Sequence, residues 1–432
     1  MAFIPEIEKN STADIKVFQE KKLKEMLEYV NRNSPFYKNL FQKNNIDLSK
    51  INKLEDLQNI PLTTKDDLNK HNFDFICVPK EKIIDYVTSS GTLGDPVTFA
   101  LTNNDLERLA YNEHISLACA GGTKNDIYQL MTTLDRRFMA GLAYFMGIKQ
   151  MGAGVVRVGN GMPEFQWDTI KRLQPTIAIA VPSFIIKLIE FAEQNKIDYK
   201  NCSIKKIVCI GEAIRNEDFS LNTLGKRIKD LWDVQLFSTY ASTEMSSAFT
   251  ECEFGMGGHH HPELLILELL DDNNKPVKYG EAGELTVTTL GLEGMPLLRF
   301  KTGDICYAHS EKCKCGRNTI RLSPIIGRKQ HMIKFKGTTL YPPSLYDILN
   351  DVNYIQNYII EVYTNDIGTD EITINIGATN PPSNYEKELK DYFRAKLRVA
   401  PTIKLNSPET IAKLQFPEMS RKAITFIDKR TK

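Results

Sequence analysis

Three short apolar runs, Ile177-Ala-Ile-Ala-Val181, Ile207-Val-Cys-Ile210 and Val234-Gln-Leu-Phe237, are separated by polar stretches of helical spacing. A strand that is apolar on both faces has to be covered on both. Helices between successive strands do that, so the alternation predicts buried parallel strands in an α/β domain. Helix-type spacing also fills residues 14–44 and 104–119. Between roughly 262 and 309 the reading becomes strand-turn-strand, punctuated by Asp271-Asp-Asn-Asn274 and by Gly280, Gly283 and Gly291. After Gly327-Arg328 a smaller α+β unit is expected: a helix starting near Pro343, strands at Tyr358–Tyr363 and Glu371–Ile376, and a helix from about 384 to 398. At 432 residues the chain is too long for one small core, and the division expected is 1–327 and 328–432.

Composition narrows the class. A net charge of +1 with 25% charged residues points to neither a nucleic-acid nor an acidic-surface partner. The N-terminus lacks a basic head followed by an apolar core, and no apolar run is long enough to span a bilayer, so the expected compartment is the cytoplasm without membrane attachment. Eight cysteines in such a chain read as thiols or metal ligands, not as a disulfide framework.

Four segments carry chemistry. In Tyr86-Val-Thr-Ser-Ser-Gly-Thr-Leu-Gly-Asp-Pro96, Gly91 and Gly94 let backbone N–H groups turn toward one anion. Thr88, Ser89, Ser90 and Thr92 add neutral donors. No Gly-Lys-Ser/Thr follows, which excludes a Walker loop, and by itself such a segment is more often a plain solvated loop. Phe237-Ser-Thr-Tyr-Ala-Ser-Thr-Glu244 runs from a strand into small hydroxyl residues and ends on a carboxylate. Leu298-Arg-Phe-Lys-Thr-Gly-Asp-Ile305 is a strand broken by a glycine next to an aspartate. Pro417–Arg430 places Lys422 in a short loop before a strand-like run. Separately, Cys252, the triple His259-His-His261, Cys313 and Cys315 could give a tetrahedral Zn²⁺ three thiolates and one imidazole; reduced cysteines beside a polar turn are the alternative.

The order and spacing of these motifs resemble the phenylacetate-CoA ligase family of the adenylate-forming superfamily. The likeness extends to Ser34-Pro-Phe-Tyr37, Leu54-Glu-Asp-Leu57, Pro61–Leu68, Met295–Asp304, Cys313-Lys-Cys-Gly-Arg317 and Ile326-Gly-Arg328. It implies a large adenylation domain with a smaller mobile C-terminal domain, and an AMP-forming acid-CoA ligase acting on phenylacetate or a similar aryl acid. ATP and coenzyme A would be substrates, Mg²⁺ a cofactor, and a homodimer possible. The same motifs leave open an adenylating enzyme with a non-CoA acceptor and a catalytically weakened nucleotide-binding homologue.

The resemblance also implies residue roles. Lys422 would bridge the attacking carboxylate and the α-phosphate, Glu244 would hold Mg²⁺, and Thr243 would donate to phosphate. Tyr240 would flank the adenine within Ser238, Thr239, Ala241 and Ser242. The nucleotide site would also draw on Gly211, Glu212 and Ala213, on the Ser89–Gly94 loop and on Arg328. Asp304 would accept both ribose hydroxyls, Phe138, Gly141, Ala143, Tyr144 and Phe184 would line the acid slot, and His259 would be the imidazole ligand of the metal. The chain departs from the family at Glu418 and Arg421, beside the lysine, and at Gln330, where relatives carry an acidic hinge residue.

Overall fold

The computed structural model describes residues 3–89, 97–365, 369–417 and 423–430. The chain divides into two compact units, one of Met1–Leu221 with Gly225–Ile325, the other of Asn222–Leu224 with Ile326–Lys432.

In the first unit a six-stranded sheet runs in the order Gly154–Arg157, Ile127–Leu130, Ile177–Ala180, Lys206–Cys209, Gln235–Ser242 and Ser247–Thr250. The first five are parallel and the last is antiparallel. The run at 177–180 is buried throughout, as continuous apolar character requires of a strand covered on both faces. Helices Met139–Met151, Pro163–Leu173 and Pro182–Gln194 alternate with these strands.

The helix Asn103–Cys119 begins in a capping box, in which Thr102 accepts from the Asp105 N–H and the Asp105 side chain accepts from the Thr102 N–H. It runs alongside the terminal strand Ser247–Thr250. A second, antiparallel sheet orders Leu265–Leu270, Ala282–Thr289, Phe300–His309, Arg321–Leu322 and Gly258–His259. An N-terminal helical layer, Thr12–Asn33 and Pro35–Lys43, packs Leu23, Leu27, Tyr37 and Phe41 into the same core as that sheet. Ser11 and Ser34 cap the two helices, each worth about 1 kcal/mol.

The second unit is built on a four-stranded sheet ordered Thr402–Asn406, Asp370–Ala378, Ile355–Thr364 and Phe426–Asp428. Its core is Ile360, Val362, Ile372, Ile374, Leu389 and Phe393, with Leu345 and Leu349 of the helix Pro342–Asn350. Ile333–Phe335 and Thr338–Leu340 form a two-residue hairpin. Lys336 and Gly337 both take positive φ, the conformation that matches strand twist. Among the described residues no helix is long and apolar enough to cross a membrane.

Candidate active site

Ligands of open parallel sheets gather at the carboxyl ends of the strands. Two segments singled out in the sequence sit there. Gly211 follows the strand Lys206–Cys209 with φ +77, a conformation that suits glycine, and Gly211, Glu212 and Ala213 are exposed. The Glu212 carboxylate accepts from Ser183 N and Oγ, both at 2.8 Å, and so caps the helix that begins at Pro182.

On the neighbouring strand, Ser238 pairs with Cys209 as its last parallel contact. The chain then continues as a hairpin through Tyr240, Ala241 and Ser242 to a turn at Thr243–Ser246. The Ser238 N–H donates to Glu251 Oε1 at 2.8 Å, and Arg215 grips the same carboxylate from Nε and Nη2 at 2.7 and 2.9 Å. Removing one member of such a buried pair costs about 3–5 kcal/mol.

Asp304 reaches this hairpin through a bulge. Glu284 and Thr286 pair with Ile305 and Lys301, so residues two apart on one strand face residues four apart on the other. Gly303 takes φ +79 within the extra length, and the Asp304 N–H donates to Thr302 Oγ1. Such bulges re-aim a side chain. Here Asp304 Oδ2 accepts from the Tyr240 hydroxyl at 2.7 Å. Tyr240 stacks on Phe249, and burial, then the Asp304 carboxylate, pushes its phenol well above the ordinary range. Tyr240 is therefore a neutral donor. The half-buried Glu244 carboxylate makes no hydrogen bond or ion pair among the described residues, which suits a hard cation held in the turn.

The other expected residues are distributed differently. Thr88 N and Ser89 N donate to Arg137 O and Val97 O, and Ser89 Oγ accepts from Val97 N, pinning the base of the glycine-rich loop. Ser90, Gly91, Thr92 and Gly94 lie outside the described residues, as do Glu418, Arg421 and Lys422. Arg328 belongs to the second unit.

Phe138 and Phe184 are half-buried. Ala143 and Tyr144 are buried in apolar cores, Tyr144 in the cluster that also holds Tyr128, Ile179 and Phe237. A Cβ on Gly141 would fall 1.9 Å from the Thr133 carbonyl oxygen, so glycine there is a requirement of close backbone packing.

Away from these groups, ligand atoms of Cys252, His259, Cys313 and Cys315 lie within 4.8 Å of one another. Cys252 Sγ is 3.6 Å from Cys313 Sγ, and Cys315 Sγ is 3.5 Å from His259 Nε2. Tetrahedral Zn²⁺ with bonds of about 2.0–2.3 Å sets its ligands about 3.5–3.8 Å apart, so the set fits that ion.

Three consecutive imidazoles have three different partners. His259 Nδ1 meets Thr319 Oγ1 at 3.3 Å, His260 Nε2 donates to the Leu265 carbonyl, and His261 Nδ1 meets Glu8 Oε1 at 2.6 Å. Only His259 among them faces the cysteines. Beyond the ligands, Arg317 joins Cys315 Sγ at 3.6 Å to Glu8 Oε2 at 2.6 Å. Arg317 closes the Cys313-Lys-Cys-Gly-Arg317 motif noted in the sequence, but the motif assigns it no role; Glu8, 309 residues away in the chain, and Thr319 were not singled out.

The sequence matches the family described as AMP-binding enzymes over residues 21–293. It is 30% identical to the phenylacetate-coenzyme A ligase of Thermus thermophilus over 88% of this chain and 85% of that protein. It is 28% identical to the Escherichia coli enzyme of the same name, over 82% and 81%. Among solved structures, a 2-hydroxyisobutyryl-CoA ligase in complex with 2-HIB-AMP shares the fold at a TM-score of 0.85 and 21% identity, over 98% of this chain and 91% of that one.

Proposed function

Membership of the AMP-binding enzyme family, and within it of the phenylacetate-CoA ligases, makes this chain an AMP-forming acid-CoA ligase; we propose that its acid is phenylacetate or a similar aryl acid. The arrangement that carries the mechanism is the hairpin on which Tyr240, bonded to Asp304, and the Thr243–Glu244 turn stand together at the strand ends. Asp304, aimed by its glycine bulge, accepts the ribose hydroxyls, while Tyr240 flanks the base and braces that carboxylate. Thr243 donates to phosphate, and Glu244 holds the Mg²⁺ that screens charge on the phosphates.

A carboxylate oxygen of the acid attacks the α-phosphorus, the bond to the bridging oxygen breaks, and pyrophosphate leaves. Lys422 offsets the charge that develops. In the second step the CoA thiol loses its proton, its sulfur bonds to the acyl carbon, and AMP leaves. Names carried by the relatives support the aryl acid and CoA over another acceptor. The test is kcat/KM for thioester formation across aryl and aliphatic acids. An aryl acid is expected to exceed short aliphatic acids by at least about 10-fold, the weight of a few buried methylenes; a branched aliphatic acid at the top of the series would overturn the aryl assignment.

The four-ligand cluster is assigned to a structural Zn²⁺, since four protein ligands leave no position for water. With Nε2 of His259 toward the metal, Nδ1–H donates to Thr319, which orients the ring. Thr319→Val keeps the volume and removes that acceptor. It is expected to speed zinc transfer to a chromogenic chelator by about 10-fold, and a wild-type rate would show that Thr319 does not orient the ligand.

A further inference from the structure

The strand Ser247–Thr250 ends its sheet, and an end strand leaves one row of backbone groups without a partner strand. The helix Asn103–Cys119 supplies those partners from side chains one or two turns apart. Arg108 Nη1 donates to the Ser246 carbonyl at 2.9 Å, Asn112 Oδ1 accepts from the Ala248 N–H at 3.2 Å, and Cys119 Sγ donates to the Thr250 carbonyl at 3.3 Å. Arg108 has a wider reach: Nε donates to the Leu290 carbonyl and Nη2 to the Leu264 carbonyl, both at 2.7 Å.

A buried guanidinium that forms no ion pair among the described residues is costly. Its hydrogen-bond partners among the described residues are three carbonyls from separate segments and, at 3.5 Å, the Ser247 hydroxyl. Ser246 closes the turn by donating its N–H to Thr243 O, and does so at φ +47, a strained value for a residue with a side chain. That conformation sends the buried Ser246 carbonyl to Arg108. Without the guanidinium the buried carbonyl would lose its partner, and the strained turn would keep only internal bonds, among them Ser246 N–H to Thr243 O and Met245 N–H to Ser242 Oγ.

We propose that Arg108 is the positioning residue of the Thr243–Glu244 turn, fixing the direction in which Glu244 presents its carboxylate to the metal of bound metal-ATP. This rests on the reading of Glu244 as the Mg²⁺ ligand. Arg108 touches no substrate and acts through the backbone of Ser246. Asn112 holds the next residue pair of the same edge.

The test uses full-length protein and Mn²⁺, an oxygen-seeking substitute visible by electron paramagnetic resonance. Its dissociation constant is measured with a non-hydrolysable α,β-methylene ATP for wild type, Arg108→Lys, Asn112→Ala, Glu244→Gln and Leu117→Ala. The last is a destabilised control on the same helix, its side chain in the neighbouring core. Arg108→Lys is expected to weaken Mn²⁺ binding by about 10-fold. Asn112→Ala should shift it in the same direction by less, Leu117→Ala should match wild type, and amide exchange in residues 243–248 of the ligand-free protein should quicken in the first two.

Mn²⁺ binding unchanged in Arg108→Lys and Asn112→Ala while Glu244→Gln weakens it would overturn the positioning role alone. Unchanged binding in Glu244→Gln would overturn the metal role of Glu244, and this inference with it. Should Arg108→Lys fail to fold, the Asn112→Ala result decides.

Discussion

Lys422→Ala is expected to slow acid-dependent pyrophosphate release by about 10²- to 10³-fold, while acyl transfer from preformed acyl adenylate to CoA stays within a few-fold of wild type. Negative charge builds on the phosphate oxygens only in the first step, so a cation placed there stabilises that transition state and not the second. In the second step the carbonyl is already activated by AMP, and the thiol needs no help from a group at the α-phosphate. Lys422 lies outside the described residues, so the expectation rests on the chemistry and on the resemblance of the Pro417–Arg430 segment. The two half-reactions are measured separately. Equal loss in both would remove Lys422 from the adenylation transition state.

The second large effect is at Asp304. Hydrogen bonds to a charged acceptor contribute about 1.5–3 kcal/mol each, so losing the two ribose contacts proposed for Asp304 would cost on the order of 3–6 kcal/mol. Asp304→Ala is then expected to weaken ATP binding by about 10²- to 10⁴-fold, at 1.4 kcal/mol per factor of ten. The substitution also removes the acceptor of the half-buried Tyr240 hydroxyl, which now donates to Asp304 at 2.7 Å. Tyr240→Phe removes the hydroxyl and keeps the ring against Phe249, so it should be milder. Calorimetric titration with ATP checks both, and wild-type affinity in Asp304→Ala would exclude the ribose role.

Much of the fold was legible because its signals are local. Ile177–Ala180 and Ile207-Val-Cys209 are continuous apolar runs in a chain that alternates them with helical spacing, and burial on both faces is what such runs require. At Thr302-Gly303-Asp304 the sequence showed a strand broken by a glycine next to an aspartate; that the break is a bulge, and where it aims the acid, appears only in the strand pairing.

What could not be read depends on partners far along the chain. His259, His260 and His261 are chemically identical, and their different partners, Cys315 and Thr319, the Leu265 carbonyl, and Glu8 and Ser116, separate their roles. Arg108 and Asn112 stand four apart, a spacing that ordinarily marks one solvated face of a helix. Here that face covers a strand edge, and the edge belongs to residues well over a hundred positions away. Tyr144, expected beside the acid, is buried in the cluster that also holds Tyr128 and Phe237, and its helix alone did not say which segments cover it.

The most direct test of the account is isotope exchange between labelled pyrophosphate and ATP with phenylacetate present and CoA absent. An enzyme that forms acyl adenylate before it meets CoA will exchange label at a rate that depends on the acid. Exchange that appears only when CoA is added, or that ignores the acid, would contradict an acyl-adenylate intermediate.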